Sequence, residues 1–221
     1  MVVKVQKQSN RQRALILYVI AAALAALSMV WGHTAAHASP LGANDNFVSR
    51  ARVAQQVSNA AGFHEDPGAQ IFEDVAPNNH YYQWINRLAN RGVMGGYICG
   101  TTPQEPCVAP ANRPYFRPDA EAFRGQVAKI VSNAAGFGEN PSSQSFEDSA
   151  PGTTFYVWVQ RLADRSLVTG FACGTTAYEQ CVAPDNRPYF RCYGHMLMPE
   201  LTQLVNSTFG GLNPASGPST K

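Results

Sequence analysis

The chain repeats itself with a period of 74 residues. Residues 72–118 return as residues 146–192 without a gap, and 27 of these 47 paired positions are identical. A half-copy comes first, because residues 50–63 match residues 124–137 at the same offset. Identity this far above chance fixes the repeat boundaries. We therefore expect a half-repeat over 46–71, a full repeat over 72–145 and a degenerate repeat over 146–209.

The N-terminus has the form of an export signal. Residues 1–13 carry four cations and no acid, residues 14–31 are apolar, and Ala36-His37-Ala38 is a small-residue cleavage site. We predict a signal peptide over 1–38, cut after Ala38. An uncleaved anchor is the alternative, since an apolar run of this length can just cross a bilayer. Both alternatives place the remaining residues outside the cytoplasm.

Removing the leader changes the charge of the protein. The net charge of +2 includes the four leader cations, so residues 39–221 carry a net charge of about −2. No basic field remains to indicate binding to nucleic acid. Residues 39–45 are predicted to be a linker and residues 210–221 a disordered tail, because both are polar and lack periodicity.

Three segments show the apolar spacing of one helix face. Apolar residues between Phe123 and Ala134 follow this spacing, and Gly136 follows as a C-terminal stop. The matching segments cover residues 48–61 and 197–208, and are closed by Gly62 and Gly210. Three related helices are therefore expected, enough for a small central bundle.

A second, shorter helical pattern covers residues 81–89 and returns over 155–163. Asn78 or Asn79 in one copy, and Thr153 or Thr154 in the other, can cap these helices by accepting amide hydrogen bonds. Helices of this length are not stable alone, so they must pack on the longer helices or on each other. The stretches over 95–118 and 170–192 are predicted to be loops with short strands.

Four cysteines recur at the same places in both loops. Cys99 and Cys107 have the same separation as Cys173 and Cys181, which in an exported protein favours one disulfide within each loop. A zinc site and pairing between loops are the alternatives, although this separation differs from the usual zinc knuckle. Cys192 is left over as a free thiol, as a link between two chains, or without a role.

No catalytic group stands out. Glu73-Asp74 and Glu147-Asp148 are adjacent carboxylates, whereas glycosidase chemistry needs two carboxyl groups that face one substrate. We expect these acids to have solvated turn and capping roles. His64, His80 and His195 have no counterpart in the other copies, so we expect them to be surface residues. The protein is therefore predicted not to be an enzyme and to need no metal or other cofactor.

The order of motifs resembles the S-layer homology (SLH) domain. Phe72-Glu73-Asp74-Val75 precedes a short helix with the pattern Ile-x-x-Leu-x-x-x-Gly-Val over 85–93, Gly96-Tyr97 follows, and Phe116-Arg117-Pro118-Asp119 leads to a second helix that opens with Arg124. The second copy matches through Phe146 to Asp148, Gly170-Phe171 and Phe190-Arg191. The resemblance implies a mainly α fold of helix–loop–helix repeats around a central three-helix bundle. Here each repeat also carries a long disulfide-closed loop that the family pattern lacks.

The resemblance also implies binding of anionic cell-wall polysaccharide in grooves between repeats. In the family, an Arg at the start of the second helix helps to hold the sugar acid, and a guanidinium fork suits a carboxylate. The corresponding residues are Arg124, taken as the strongest candidate, and Arg50. Gln126 can supply half of a capping box on the same helix as Arg124. Leu197-Met198-Pro199-Glu200 has no Arg, so the last groove is not expected to bind.

Further candidates are less closely tied to the family pattern. Tyr81 lies near the family's usual aromatic position, whereas Trp84 and Trp158 are interpreted as packing residues. Arg113 and Arg187 lie in the inserted loops and are further candidates for ligand contact.

The sequence thus predicts a non-catalytic module of the cell surface or cell wall that binds or anchors to cell-wall polysaccharide. A surface scaffold or protein-interaction module with self-association is the alternative, since exposed Tyr and Arg suit a protein partner equally well. We expect no nucleic-acid partner, and membrane contact only if the leader is retained.

Overall fold

The computed structural model describes residues 47–210, and these form five helices. They are α1 (Arg50–Ala60), α2 (Tyr82–Asn90), α3 (Arg124–Ala134), α4 (Tyr156–Ala163) and α5 (Met198–Phe209). This part of the chain is mainly helical, as predicted. No helix within it is long and apolar enough to cross a membrane. The predicted leader, the linker and the tail after Gly210 lie outside the described residues.

The core joins the three longer helices. Helices α1, α3 and α5 contact one another, α2 packs on α1, and α4 packs on α3. Equivalent positions of the three longer helices supply buried side chains, each worth roughly 1.5–3 kcal/mol relative to exposure. These side chains are Val53, Val127 and Leu201 in one set, and Val57, Val131 and Val205 in another.

The ends of the longer helices follow the sequence signals in most places. The Ser49 hydroxyl accepts the Arg52 amide at 3.3 Å and caps α1. Helices α1 and α3 are followed by Gly62 and Gly136, whose φ angles of +70° and +72° lie in the left-handed region that favours glycine. Gly210 differs, because it follows α5 with a right-handed φ of −65°.

The predicted side-chain caps of the shorter helices are wrong, because neither α2 nor α4 is capped by a side chain of the described residues. The Asn79 side chain accepts the Tyr81 amide at 2.8 Å, just before α2. No side chain caps α4, so the prediction of a threonine cap is wrong. The Thr153 hydroxyl instead donates to the Ala150 carbonyl at 2.8 Å and is used within the preceding turn.

Each long loop is closed by its own disulfide. Cys99 is bonded to Cys107 and Cys173 to Cys181, so neither zinc binding nor pairing between loops occurs at these cysteines. Disulfides persist in oxidising compartments, which favours a location outside the cytoplasm. The base of each loop is an isolated antiparallel bridge, and in the first loop Tyr97 and Tyr115 exchange backbone hydrogen bonds of 2.8 and 2.9 Å.

An ion pair fixes the conformation of the first disulfide loop. Arg117 donates two hydrogen bonds to the Glu105 carboxylate, at 2.6 and 2.7 Å. These bonds lower the pKa of Glu105 below its usual range. The Arg117 guanidinium also lies 3.8 Å from the centre of the Tyr97 ring. The second loop repeats the arrangement with Arg191, Glu179 and Phe171.

The Asp carboxylate of each Phe-Glu-Asp motif binds distant backbone amides, which corrects the prediction that it has a solvated turn or capping role. Asp74 accepts the amides of Phe116 and Arg117 at 2.7 and 2.6 Å. Asp148 accepts the equivalent amides of Phe190 and Arg191 at 2.6 and 2.7 Å. Each Asp therefore fastens the far end of a disulfide loop to the turn that precedes a short helix.

The fifth cysteine is buried. Cys192 is 4 % exposed, and burial raises the pKa of its thiol to about 11. A disulfide between chains is therefore not supported, because the thiol is not accessible. His64, His80 and His195 are exposed, as expected, and His195 also lies 2.9 Å from the Glu121 carboxylate.

Candidate functional site

Two grooves lie at equivalent places in the repeats. The first groove encloses about 270 Å³ and is lined by Arg50, Val93, Met94, Gly95, Gly96, Tyr97, Gln126, Lys129, Ile130 and Phe155. The second groove encloses about 160 Å³ and is lined by Arg124, Leu167, Val168, Thr169, Gly170, Phe171, Phe190, Met196, Glu200, Gln203 and Leu204. Every residue of the first groove except Phe155 has its counterpart 74 positions later in the second. The repeat has thus produced the same site twice.

Arg50 is a buried cation of the first groove and makes no ion pair with a carboxylate of the described residues. It is the first residue of α1 and only 6 % exposed. Its Nε donates to the Phe116 carbonyl and its Nη2 to the Gly95 carbonyl, both at 2.8 Å. Nη1 makes no hydrogen bond, and Arg50 makes no ion pair, with any residue of 47–210. Burial lowers the pKa of this guanidinium from its usual value.

Arg124 is the equivalent cation of the second groove, and it is already paired. Its Nε donates to the Phe190 carbonyl at 2.9 Å, just as Arg50 does to Phe116. Its Nη1 forms an ion pair with the carboxylate of Glu200, the third residue of α5. Arg124 was the strongest candidate from the sequence, but it is already paired with a carboxylate, whereas Arg50 makes no ion pair within the described residues.

The grooves differ in charge at two pairs of equivalent positions, because Gln126 corresponds to Glu200 and Lys129 corresponds to Gln203. Gln126, the third residue of α3, occupies in the first groove the place that Glu200 occupies in the second. Both side chains cap their own helix: Gln126 accepts the Phe123 amide at 3.1 Å, and Glu200 accepts the Leu197 amide at 3.0 Å. The predicted half of a capping box at Gln126 is therefore confirmed. The first groove consequently keeps a net positive charge.

A lysine and two aromatic rings complete the first groove. Lys129 is exposed, makes no ion pair within the described residues, and lies 4.5 Å from the centre of the Trp158 ring. Tyr97 and Phe155 supply aromatic surface. Phe155 packs directly on Gly125, where an added Cβ would lie 2.4 Å from the ring. The glycine after Arg124 therefore allows Phe155 to approach the start of α3.

The structure separates the residues that the sequence proposed as ligand contacts. Arg50 and Gln126 line the first groove, and Arg124 lines the second. Tyr81 lines neither groove and contacts the rings of His80 and Trp84, with centroid distances of 4.8 and 6.2 Å.

The two loop arginines also lie outside both grooves. Arg113 donates to the Gln70 carbonyl at 3.1 Å and pairs with Glu73 at 3.3 Å. Arg187 donates to the Gln144 carbonyl at 3.0 Å in the same way. These arginines hold the loops in place.

Trp84 packs against the core, as interpreted from the sequence, and both tryptophans are held by a hydrogen bond to a longer helix. Trp84 and Trp158 are half-buried, and their indole nitrogens donate to Asn59 and Asn133 at 2.7 and 2.9 Å.

Several groove residues were not found from the sequence. Lys129, Phe155 and Glu200 belong to three different elements, and only the fold brings each of them beside an arginine. One signal was available, because aligning the copies at the 74-residue offset sets Gln126 against Glu200 and Lys129 against Gln203. That comparison would have shown two sites of unequal charge.

The position that would begin a third groove carries Met198, whose sulfur accepts a hydrogen bond from Gln56 at 3.1 Å. Among residues 47–210, no group of His, Cys, Asp and Glu side chains could hold a metal ion.

No family model matches the chain, and no curated protein matches it either.

Proposed function

We propose that this chain is a non-catalytic cell-envelope module with an SLH-like arrangement, and that its first groove binds an acidic sugar of a cell-wall polysaccharide. The observation that carries the proposal is Arg50, a guanidinium that is 6 % exposed in an open groove and makes no ion pair with any residue of 47–210. A buried charge is costly unless it is paired, so a bound carboxylate would supply what the fold omits.

The free polar groups of the first groove are donors. Arg50 has an unused Nη1, and Lys129 contributes an ammonium. Gln126 uses its oxygen to cap α3 and leaves its amide nitrogen without a hydrogen bond to residues 47–210. No carboxylate of residues 47–210 lines the groove. A set of donors around a guanidinium fits an anion, and the rings of Tyr97 and Phe155 offer apolar surface to a sugar.

The fold is consistent with the resemblance that suggested this function. Three related helices contact one another, and the two shorter helices pack outside α1 and α3. Arg50 and Arg124 stand at the first positions of α1 and α3, beside the positive end of the helix dipole. The resemblance implies an acidic ligand at such positions.

The acidic pairs support a non-catalytic role because they are engaged by the protein. Asp74 binds two backbone amides, and Glu73 pairs with Arg113 at 3.3 Å. Asp148 binds the equivalent amides, and Glu147 lies 3.5 Å from Arg187. Acids held in this way are not presented as a pair to a substrate.

The test is sedimentation of the purified protein with protease-treated cell-wall sacculi from its source. We expect wild-type protein to sediment, and Lys129→Glu to bind more weakly. Exchanging an attraction of about 1 kcal/mol for a similar repulsion changes the binding free energy by roughly 2 kcal/mol, or about 30-fold. Arg52→Glu is the matched control, because Arg52 is an exposed cation of α1 that lines neither groove.

Equal loss of sedimentation in both variants would show that net charge alone governs binding and would refute the first groove as the site.

A second function, a protein-interaction module, is favoured by the exposed loop residues Ile98 and Tyr178, which are 80 % and 95 % exposed. Absence of binding to sacculi, together with binding to an envelope protein that Ile98→Ser and Tyr178→Ser abolish, would support that function instead.

A further inference from the structure

A row of five side-chain rings begins at the first groove. The rings of this aromatic row contact one another in the order Phe155, Tyr193, Phe123, His195 and Phe47, with centroid distances of 5.7, 6.4, 5.1 and 5.0 Å. We propose that the aromatic row binds neutral sugar rings of a polysaccharide whose acidic sugar occupies the first groove. This inference rests on the proposed function, because it takes the first groove to hold an adjoining sugar of the same chain.

The aromatic row lies on the surface of the protein. Of its three phenylalanines, only Phe155 packs against the hydrophobic core of residues 47–210. Tyr193 is 68 % exposed, and the side chain of His195 is 38 % exposed. Single exposed rings are common on protein surfaces, whereas a contiguous set of rings marks an interaction site.

The frame of the fold does not require these rings. Residues 47, 121 and 195 are equivalent at the 74-residue offset, and so are residues 49, 123 and 197. Three antiparallel bridges join the two sets into a closed ring, and they pair Phe47 with Leu197, Ser49 with Glu121, and Phe123 with His195. Tyr193 stands where the preceding copy has Asp119. The same frame therefore also accepts serine, leucine and acidic residues at these positions, and the rings are concentrated on one side of it.

The chemistry of the aromatic row suits a neutral sugar. A pyranose ring has C–H faces that pack on aromatic rings, and its hydroxyl groups both donate and accept hydrogen bonds. Tyr193 combines an apolar ring with a hydroxyl group. His195 Nδ1 lies 2.9 Å from Glu121 Oε2, and both side chains are more than one third exposed, so a nitrogen and a carboxylate adjoin the rings.

Phe155 connects the aromatic row to the first groove. It lines this groove, and its ring also contacts the ring of Tyr193. Its position is fixed by Gly125, where an added Cβ would lie 2.4 Å from the ring. A polymer that occupies the first groove therefore meets the aromatic row at Phe155.

The experiment is an NMR titration of ¹⁵N-labelled protein with cellotetraose and with chitotetraose, which are two neutral chains of pyranose rings. The amides of Gly194 and His195 report on the aromatic row, and those of Gly96 and Tyr97 report on the first groove. At least one of the two tetrasaccharides should shift the Gly194 and His195 signals in a saturable way.

Tyr193→Leu and Phe123→Leu remove one ring each and keep an apolar side chain. Leucine is already present at the position equivalent to Phe123, namely Leu197, so the variant should fold, which circular dichroism will verify. Each substitution should weaken tetrasaccharide binding about fivefold, because a contact with an aromatic ring is lost. Tyr178→Leu is the matched control, since Tyr178 is 95 % exposed in the second disulfide loop and is not part of the aromatic row.

Two results would overturn the inference. One is the absence of a shift at Gly194 and His195 with both tetrasaccharides, and the other is unchanged affinity in folded Tyr193→Leu and Phe123→Leu. If these variants instead lost binding to an envelope protein while their sugar affinity stayed the same, the aromatic row would be a protein-binding surface and the inference would also fall.

The titration and the sedimentation test fail separately. If a tetrasaccharide binds the aromatic row but sacculi do not sediment the protein, the sugar site stands and the cell-wall function falls. If sacculi sediment the wild type in a manner that depends on Lys129, but the two leucine variants match Tyr178→Leu in both assays, the function stands and the aromatic row is refuted as a sugar site.

Discussion

Removal of the Asp74 carboxylate should loosen the first disulfide loop from the helical core. Asp74 accepts the amides of Phe116 and Arg117 at 2.7 and 2.6 Å, and these residues lie 42 and 43 positions further along the chain. Phe116 is fully buried, so the amides that Asp74 holds set the position of a core side chain. The disulfide closes the loop but does not replace this attachment.

The structure gives the size of the effect. A hydrogen bond to a charged group contributes roughly 1.5–3 kcal/mol, and Asp74→Ala removes two. Because Asp74 is half-buried, water can replace part of the loss, so we expect the free energy of unfolding to fall by about 3 kcal/mol. Asp74→Asn keeps a neutral acceptor and should lose about half as much, roughly 1.5 kcal/mol.

Urea denaturation at pH 7, followed by circular dichroism with the disulfides intact, measures these changes. Thermal unfolding should show a melting temperature about 6–12 °C lower for Asp74→Ala. The control is Asp119→Ala, because Asp119 is exposed and accepts no hydrogen bond from residues 47–210. If Asp74→Ala were no less stable than this control, the carboxylate would not fasten the loop.

Three further predictions follow from other contacts. Cys192 should react with a thiol reagent at pH 8 only after unfolding in urea, because its side chain is 4 % exposed and the pKa of its thiol is raised to about 11. Rapid labelling of the folded protein would contradict this burial. Hydrogen bonds from Arg91 lower the pKa of Glu65 from its usual 4.5 to about 2, so its stabilising contribution is present above pH 4.5 and lost as the pH falls toward 2. Glu65→Gln should therefore show a smaller loss of stability over that interval, and an unchanged acid profile would exclude this contribution. Gly125→Ala should lower the free energy of unfolding by about 1–2 kcal/mol, because the cost of overpacking the new methyl group against Phe155 exceeds the gain in helix propensity. A higher melting temperature for this variant would contradict the prediction.

The sequence was sufficient to predict the features that depend on nearby residues. Apolar spacing located the helices, and Gly62 and Gly136 marked two of their ends. The equal separation of cysteines predicted both disulfides, since each pair closes a short loop. These features depend on local geometry, which a sequence pattern records directly.

Contacts between distant residues were not predictable in the same way. The carboxylate of Asp74 looked like a solvated turn residue until the fold placed the Phe116 amide beside it. The pairing of Arg124 with Glu200 spans 76 residues and depends on how α3 and α5 pack. A motif shows that an arginine begins a helix, but its counter-charge lies on another helix. The ranking of Arg124 over Arg50 lacked that information.

The two capping side chains have a consequence for how such grooves can diverge. An amide oxygen at Gln126 and a carboxylate oxygen at Glu200 cap their helices equally well. Codons for glutamine and glutamate can differ in a single base. A point mutation could therefore change the net charge of one groove by one unit without disturbing the helix beneath it. After duplication of an ancestral repeat, such a change would let two copies acquire different partners while their folding remained under the same constraints.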